Sequence, residues 1–491
     1  NNNGIYSENR ELISTNTSYT INGYWSNGVF ATGSKDVTFN GGTMNINGSG
    51  NNGYIDKSTG TDKVQNMTFN VYGTSNNGIF ATSAGQTISE ISGTALNPFT
   101  FNVNNNNIGL LVGDVSGEAE VTKVENTVFN IENTNAADTN DKGGTAIYLY
   151  NSKDTKLGEN VVINGGGTGV NEGNDILITI RNRNRDDNPA TATTNKLSLG
   201  GDAGTKRTLL NATGSNNIGI NIQQGTTDQT SEVEIVTLNN ASGDPAGWNL
   251  HFEGGTQNTG IKNNFFAKKL HIENKLKDDS SPSSLYDSGV MAIYGDDGIM
   301  FANLGYVQDG NLRLDGISMQ GKRSIGAAFL NNQYSENGTP TLNNRLGNSG
   351  IFNTGSTGGV ALQGSIGANS GPHLDSSNSV AIFANTGQRA DFRETAVGHG
   401  SGSSAQISDL TVTGLNVGLN QFANNSVLLW SERGTKIKVT NTLGGAGGGT
   451  ASYTSSGGNG HVSDGVMIEG GKTVHGYNTN DDVVSTNSVI A

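Results

Sequence analysis

The sequence predicts an all-β protein, a right-handed parallel β-helix (β-solenoid) with turns of about 25 residues and inserted loops. The first observation is a period, since Gly28, Gly53 and Gly78 each follow an asparagine and lie 25 residues apart. The second is that apolar and polar residues alternate within each copy, which places the apolar side chains on one face of a strand. A unit this short cannot bury its apolar face alone, so successive copies must stack.

Alternating runs in the early copies supply the predicted core. Their apolar residues are Val37 and Phe39, then Met67, Phe69 and Val71, then Phe99, Phe101 and Val103. Asparagines at fixed corners are expected to hydrogen-bond their copies in adjacent turns, with glycine where the backbone needs a positive φ. The period suits a three-sided helix better than the hexapeptide type, a propeller with blades of roughly 40 residues, or a sandwich of unrelated strands.

Composition supports a folded repeat protein. Glycine supplies 72 of 491 residues and proline only 6, which argues against collagen and suits a coil with a turn at every corner. Charged residues are 15% and the apolar residues are clustered, unlike those of a disordered chain. The absence of cysteine excludes disulfides, a thiol nucleophile and thiolate metal sites. The net charge of −14 disfavours nucleic acid and anionic membranes as partners.

The copies continue along the chain with longer spacing, so residues 1–491 are predicted to form one elongated β-helix segment. Residues 244–290 are less regular and form a predicted loop-rich insertion, in which Leu270 and Ile272 favour a strand over a short helix. Residues 443–460 are a predicted Gly/Ser-rich loop.

Polar and proline-containing residues 277–288 are predicted to be a second loop. No apolar run is long enough for a membrane helix, and residues 1–14 lack a basic and apolar signal segment. If the protein is exported, we expect this chain to be a fragment of something longer.

The repeats resemble a known family. Openings of the type N-G-[IV]-F-A-T, as at residues 27–32, and a T-F-N strand, as at 37–40 and 67–70, are similar to the passenger domain of type V autotransporters. Among these, the Asn/Gly/Thr-rich, acidic, cysteine-free repeats most resemble the large fusobacterial outer-membrane adhesins, over nearly all of the chain. The resemblance implies a right-handed β-helix that is outer-membrane anchored at the bacterial surface or secreted. It also implies binding to host-cell proteins or glycans, or to other bacteria, and a C-terminal translocator barrel outside this chain.

No catalytic, metal or cofactor residues are predicted. A G-x-S-x-G elbow and Gly-Asp-Ser-Gly are both missing, and the six histidines are scattered. Paired carboxylates across a groove would suit a glycan lyase or hydrolase. The candidate pairs are Asp186 with Asp187, Asp278 with Asp279, and Asp296 with Asp297. Adjacent acids in glycine-flanked turns are more often solvated corners, and the calcium-binding GGxGxDxUx repeat is absent.

Binding residues can be proposed in two places. Three guanidinium groups share one strand face and could contact an anionic glycan or a carboxylate, although an exposed row neutralised by nearby acids is favoured: Arg181, Arg183 and Arg185. Aromatic rings stack on sugars, and the irregular region contains Trp248, His251 and Phe252. Packing remains the favoured role for this tryptophan, but loops on a rigid scaffold commonly carry binding.

Three functions are compatible with these features. The favoured one is a non-catalytic adhesin, in which the β-helix is a stalk or binding segment. The alternatives are a β-helical enzyme that cleaves glycans with paired carboxylates, and a structural spacer without a ligand.

Overall fold

The structure is a computed structural model. Paired β-strands, and no helix, are found in the residues that it describes. These are residues 2–33, 35–82, 86–104, 106–114, 117–132, 144–166, 175–181, 194–199, 208–212, 214–223, 232–237, 248–253, 255–264, 266–267, 269–273, 289–304, 306–307, 312–314, 317–330, 351–353, 360–362, 380–385, 408–413, 416–419, 427–432, 435–440, 452–455, 464–468 and 489–490.

The chain falls into two compact units. The first contains Asn1–Thr226, Thr230–Asn258 and Lys275–Asp278, and the second contains Thr227–Gln229, Thr259–Asn274 and Asp279–Ala491. The strands of the first unit are β1 (Asn3–Glu8), β2 (Leu12–Tyr24), β3 (Asn27–Gly33), β4 (Val37–Ser49), β5 (Asn52–Ser58), β6 (Thr61–Val71), β7 (Asn77–Ala81), β8 (Gln86–Ser92), β9 (Phe99–Asn104), β10 (Ile108–Val112), β11 (Ala119–Glu125), β12 (Thr127–Glu132), β13 (Thr145–Tyr150), β14 (Ser152–Leu157), β15 (Val161–Gly165), β16 (Ile176–Arg181), β17 (Thr194–Leu199), β18 (Thr208–Ala212), β19 (Ile218–Gln223), β20 (Glu232–Thr237) and β21 (Trp248–Glu253).

Parallel pairing in the first unit builds three tracks of strands. One track, here called the first sheet, runs β1, β3, β5, β7, β10, β13, β16 and β19. The long strands β2, β4 and β6 pair in order, and β6 then pairs with both β8 and β9. From there the two remaining tracks run β8, β11, β14, β17, β20 and β9, β12, β15, β18, β21. Each later turn therefore contributes three strands, one to each side.

The second unit repeats this pattern. Its strands are β22 (Thr259–Asn263), β23 (Phe266–Ala267), β24 (Lys269–Glu273), β25 (Gly289–Tyr294), β26 (Ile299–Asn303), β27 (Tyr306–Val307), β28 (Leu312–Leu314), β29 (Ile317–Gln320), β30 (Ile325–Leu330), β31 (Ile351–Asn353), β32 (Val360–Leu362), β33 (Val380–Asn385), β34 (Ser408–Thr413), β35 (Asn416–Leu419), β36 (Val427–Glu432), β37 (Thr435–Thr440), β38 (Ser452–Ser455), β39 (Asp464–Ile468) and β40 (Val489–Ile490). Its tracks are β22, β26, β30, β33, β36, β39, then β24, β28, β31, β34, β37, β40, then β25, β29, β32, β35, β38. Strands β23 and β27 form a short extra pair.

The predicted fold class is confirmed, because both units are all-β stacks of parallel strands in which sequence repeats pair in register. Asn27, Asn52 and Asn77 are partners in β3, β5 and β7, as the 25-residue period requires. Strand pairing does not report handedness, so the right-handed coil stays a prediction. So does the single segment over residues 1–491.

The two predicted irregular stretches contain strands. Strands β21 to β24 lie within 244–290, and β24 carries buried Leu270 and Ile272, so the strand expected there is confirmed. Strand β38 lies within 443–460. The predicted loop at 277–288 lies outside the described residues.

The glycines of the opening motif allow successive turns to pack closely, and they do not have a positive φ. A Cβ added to Gly28 would stand 2.6 Å from the Gly53 carbonyl oxygen of the next turn and 2.9 Å from Ile21 Cδ1. A real Cβ is not found at such distances, so only glycine lets the stacked turns pack this tightly. The left-handed backbone that we expected at glycines falls elsewhere, for example at Gly50 with a φ of 70°.

The predicted core residues face inward. All eight apolar residues predicted from the alternating runs are at most 1% exposed. Because equivalent residues of successive turns stack, their rings stack as well. The ring centroids of Phe101 and of Phe129 in the next turn are 4.6 Å apart, with only 3° between the ring planes. Burying a phenylalanine side chain stabilises the fold by roughly 1.5–3 kcal/mol, so repeated rows of this kind supply the interior that a single copy lacks.

Asparagine ladders join the turns, as predicted. At one corner the backbone N–H of Ser26 donates to Asn51 Oδ1 at 2.8 Å, and Asn51 and Asn76 repeat the bond one turn further on at 2.7 and 2.8 Å. A second ladder of side-chain amides, with bonds of 2.7 to 3.3 Å, runs along Asn45, Asn70, Asn102, Asn130, Asn164 and Asn211. The first ladder satisfies corner donors that stacking would otherwise bury unpaired, whereas the second runs along the strands themselves.

Candidate binding surface

The first sheet of the first unit carries an apolar row on its outward face, which is exposed at its first residue, buried at its third and half-buried at the other four. Along strands β1, β3, β5, β7, β10 and β13, residues in register form this outer row, which consists of Tyr6, Phe30, Ile55, Phe80, Leu111 and Tyr148. The row faces outward because Val29 and Ala31, on either side of Phe30, point into the core. Exposure ranges from 55% at Tyr6 to 7% at Ile55.

The first two residues of the outer row bring two aromatic rings together with two charged side chains. The Tyr6 and Phe30 rings stack with centroids 5.6 Å apart and planes 18° apart. The ammonium of Lys57 lies 5.8 Å from the Phe30 centroid, which is within the range of a cation–π contact. The hydroxyl of Tyr6 donates to Glu8 at 3.3 Å. This end of the row therefore combines flat apolar area with both charge signs.

A cationic side chain lies near the other end of the row. Arg181, in β16, donates from Nη1 to the Tyr148 hydroxyl at 3.4 Å and pairs in register with Tyr150 and Gln223. It is half-buried. Of the three arginines predicted as a contact, Arg183 and Arg185 lie outside the described residues.

The predicted aromatic site falls on strand β21. Phe252 is fully buried and pairs with Leu210, so its ring belongs to the core and does not face a ligand. His251 pairs with Leu209 on the alternate position, and Trp248 begins the strand. The structure thus places these three residues on one strand, with Phe252 in the core.

In the second unit the structure describes one of the candidate carboxylate pairs, Asp296 and Asp297, and this pair lies at a corner between two strands. Asp297 has a φ of 57° and binds Arg323 of the next turn through two bonds, of 2.7 Å from Nε and 2.8 Å from Nη2. Asp296 accepts a bond of 2.9 Å from the Lys322 backbone. The hydrogen bond from Arg323 is the main cause that lowers the pKa of Asp297. Asp186, Asp187, Asp278 and Asp279 lie outside the described residues.

A different pair of acids is buried in the first unit. Asp62 is fully buried and accepts bonds from Val37 N–H at 2.7 Å, Tyr54 Oη at 2.7 Å and Ser58 Oγ at 2.8 Å. Asp56, also fully buried, accepts the Ser58 N–H at 2.8 Å, while its Oδ2 accepts no hydrogen bond. Burial is the main cause that raises the pKa of Asp56 well above its ordinary value, followed by the nearby Asp62. Asp56 therefore keeps its proton to a higher pH than an ordinary carboxyl group does.

A third buried acid stands in the corner ladder. The backbone N–H of Asp175 donates to Asn217 Oδ1 at 3.0 Å, Gly166 N–H donates to Asp175 Oδ2, and Oδ1 has no hydrogen-bond partner. Burial raises the pKa of Asp175 to about 6. Like the Asp56–Asp62 pair, it lies where solvent and substrates do not reach, so its role is in the fold.

Two further properties concern the described part of the chain only. Nowhere in it do three or more histidine, aspartate or glutamate side chains converge as metal ligands would. Nor does it contain a helix with the length and apolar character of a membrane span.

Comparison with models of known protein families, with curated proteins and with solved structures found no match. The class of protein therefore rests on the fold itself, a parallel β-helix with outward-facing rows of like residues.

The outer row was missed in the sequence, although its signal was present. In the opening N-G-V-F-A-T the alternation that sends Val29 and Ala31 inward sends Phe30 outward. An apolar residue recurs at that fourth position in the later openings. The predicted core residues were drawn only from the alternating runs that follow the openings.

Proposed function

We propose that this chain is a bacterial surface adhesin: a β-helical stalk and binding segment of an autotransporter passenger that attaches the cell to host cells or other bacteria, without catalysis. The observation that carries the proposal is the outer row. Support also comes from the resemblance of the repeats to fusobacterial adhesins. The proposed location is the cell surface, anchored through the outer membrane or secreted.

An apolar row on an outward face indicates binding to another molecule. Where one face of a sheet lies in solvent, the side chains on that face are normally polar. Contiguous exposed apolar patches in soluble proteins mark interaction sites. Six rungs at roughly 4.8 Å per strand give a strip about 24 Å long. A strip of that length on a stiff scaffold fits an extended surface of another molecule better than a small substrate.

The described acids favour attachment over cleavage. Asp296 and Asp297 are held by Lys322 and Arg323 at an exposed corner, and Asp56 and Asp62 are enclosed in the core. Glycan cleavage needs two carboxyl groups on opposite sides of a bound sugar, one of them free to donate a proton. Neither pair has that arrangement.

The test is inhibition of adherence by the purified chain. We expect the wild type to block attachment of bacteria that display it to host cells or to partner bacteria. A triple variant, Phe30→Ser with Phe80→Ser and Tyr148→Ser, should block roughly tenfold less well or worse, because binding energy concentrates in a few aromatic anchors.

The control is a triple variant on an outward row of another side, Thr43→Ser with Thr68→Ser and Thr100→Ser, which are partners in register. It should inhibit like the wild type. Should the triple outer-row variant fail to fold, the single change Tyr6→Ser at an exposed ring replaces it. Equal inhibition by outer-row and control variants, with both folded, would remove the basis of the proposal.

A further inference from the structure

Two cations border the outer row of the first unit. Strands β3, β5, β7, β10, β13, β16 and β19 of the first sheet contain three charged residues, of which Asp56 is buried and Lys57 and Arg181 face outward. The charged groups on the outward face of these strands are therefore all cationic, in a chain with 43 acidic and 29 basic residues. This local charge is opposite in sign to the net charge of −14.

Both cations lie two residues beyond the outer row, on the same outward face. Lys57 follows Ile55 in β5, and Arg181 pairs in register with Tyr150, which follows Tyr148 in β13. Strands β5, β7, β10, β13 and β16 are successive neighbours in the sheet. Four steps of roughly 4.8 Å therefore place the two cations about 19 Å apart along the stack.

The surface between the two cations is apolar. Its outer-row residues are Phe80, Leu111 and Tyr148, and each is half-buried. The outward positions on the other side of the row are uncharged, and they are occupied by Asn52, Asn77, Ile108 and Thr145. Lys57, Phe80, Leu111, Tyr148 and Arg181 are called here the Lys57–Arg181 face.

Two acids lie beside this face. Glu8 of β1 belongs to the same row as Lys57 but lies two strand steps before it. Asp114, at the corner after β10, accepts hydrogen bonds from the Thr82 hydroxyl and the Gly117 N–H. Salt at physiological ionic strength screens exposed charges that are more than about 8 Å apart. The two cations therefore set the charge that a partner meets at each end of the face.

The two cations differ in how they can hold an anion. Arg181 is half-buried and donates to the Tyr148 hydroxyl at 3.4 Å, and a guanidinium can bind a carboxylate through two parallel hydrogen bonds. Partial burial also strengthens its attraction for an opposite charge. Lys57 is exposed, with its ammonium 5.8 Å from the Phe30 centroid, and acts as a more mobile point charge. We expect Arg181 to contribute the larger share of the binding.

We infer that the Lys57–Arg181 face binds an acidic protein segment in which two carboxylates flank apolar side chains. An extended chain advances roughly 3.3 Å per residue, so carboxylates about six residues apart span the two cations. The apolar residues between the cations favour a protein over an anionic glycan, because they need apolar side chains to cover them. This inference rests on the proposed attachment function, because it names the chemistry of the partner at the outer row.

The test measures binding of the purified chain to synthetic fluorescent peptides by anisotropy. The probe peptide carries two glutamates six residues apart, with leucine and serine alternating between them. One companion peptide has lysine in place of both glutamates, and another has serine in place of every leucine. The wild-type chain should bind the probe roughly tenfold or more tightly than either companion, and binding should weaken as salt is added.

Two substitutions remove the cations with residues that the fold already accepts. Arg181→Gln copies Gln223, its partner in the next turn, and Lys57→Thr copies Thr32, its partner in the previous turn. Each single variant should bind the probe more weakly, and the double variant should lose roughly tenfold or more in affinity. The melting temperature of each variant reports whether its fold is retained.

The matched control is Lys63→Thr, which removes an exposed lysine of β6 and copies Thr38, its partner in the previous turn. It makes the same change in net charge away from the face and should bind like the wild type. The inference is overturned if the wild type does not bind the probe, or if the folded double variant and the control bind it equally. It is also overturned if the double variant loses binding to heparin but not to the probe, because the face would then bind an anionic glycan.

Adherence assays separate this inference from the proposed function. Probe binding that depends on both cations, in a chain that inhibits no adherence, would contradict the adhesin proposal and leave the Lys57–Arg181 face standing. Inhibition that is lost in the triple outer-row variant but unchanged in the double variant would keep the adhesin proposal and overturn the acidic partner.

Discussion

Two pairs of aspartates, one in each unit, differ in sequence spacing, burial and neighbouring groups. Asp56 and Asp62 of the first unit are six residues apart in sequence, fully buried and surrounded by hydroxyl and amide donors. Asp296 and Asp297 of the second unit are adjacent, partly exposed and faced by Arg323. Burial raises the pKa of Asp56, whereas the guanidinium lowers the pKa of Asp297.

The difference shows that environment, and not adjacency in sequence, decides what a carboxylate pair does. The adjacent pair is conspicuous in the sequence yet is held as an ordinary corner ion pair. The separated pair is inconspicuous, yet the protonation of its Asp56 is coupled to folding. The signs are opposite, since Asp56 favours the fold at low pH and Asp297 favours it at higher pH.

The largest effect is expected from removing the acceptor at the centre of the buried pair. Asp62→Ala leaves the Tyr54 hydroxyl, the Ser58 hydroxyl and the Val37 N–H without their partner inside the core. Each such orphan costs about 1–3 kcal/mol, so we expect a loss of roughly 3 kcal/mol or more in the free energy of unfolding, measured by urea denaturation. Asp62→Asn, which keeps one carbonyl oxygen, should lose less. A loss below about 1 kcal/mol would contradict the assigned bonds.

Asp175 is buried without a second acid beside it, so it tests how burial of a single carboxyl group changes stability with pH. The raised pKa of Asp175, about 6 against an ordinary 3.8, means that its stabilising contribution is present below pH 3.8 and lost as pH rises through about 6. Asp175→Asn, the residue found at Asn217 in the same ladder, removes this loss. We expect the variant to be more stable than wild type by up to about 3 kcal/mol above pH 7, and the gain to vanish near pH 3. A gain that is the same at both pH values would point to another cause.

Asp56→Asn tests the raised pKa of the buried Asp56. Wild-type stability should fall as pH rises from 3.8 through the raised pKa of Asp56, since the acid must then give up its proton inside the core. The amide of the variant does not titrate, so this loss with rising pH is removed. We expect a gain of about 1–2 kcal/mol at neutral pH and a flatter pH profile, both measured by thermal melts in a buffer series. If the variant loses stability at neutral pH, Asp56 is not protonated in the fold.

The smallest effect is expected at the exposed pair. Arg323→Ala removes the main cause of the lowered pKa of Asp297, which should then return toward its ordinary value in a carboxyl NMR titration. Stability supplied by Asp297 is present above its ordinary pKa and is lost as pH falls through the lowered one. Since the pair is exposed and screened, the destabilisation should be slight and should disappear in high salt. Arg323→Lys serves as the control that keeps the charge.

Much of the fold could be predicted because it repeats. Alternation at Val37, Phe39 and Phe69 identifies inward residues by parity alone, and the asparagine spacing of 25 residues gives the register. The candidate surface was less predictable. Parity also sends Phe30 outward, but parity was applied only to the alternating runs that follow the openings.

The sequence by itself determined the stacking, since a periodic chain that buries the same positions in every turn has one register that satisfies them all. Only the tertiary structure decided which side chains meet between turns. The pairing of Asp297 with Arg323 and the indole of Trp25 on Gly50 join residues of successive turns, and the enclosure of Asp56 with Asp62 joins two neighbouring strands of one turn. The physical reason is that parity sets the face on which a side chain lies, whereas its environment depends on the turn above and on the exact rotation at each corner.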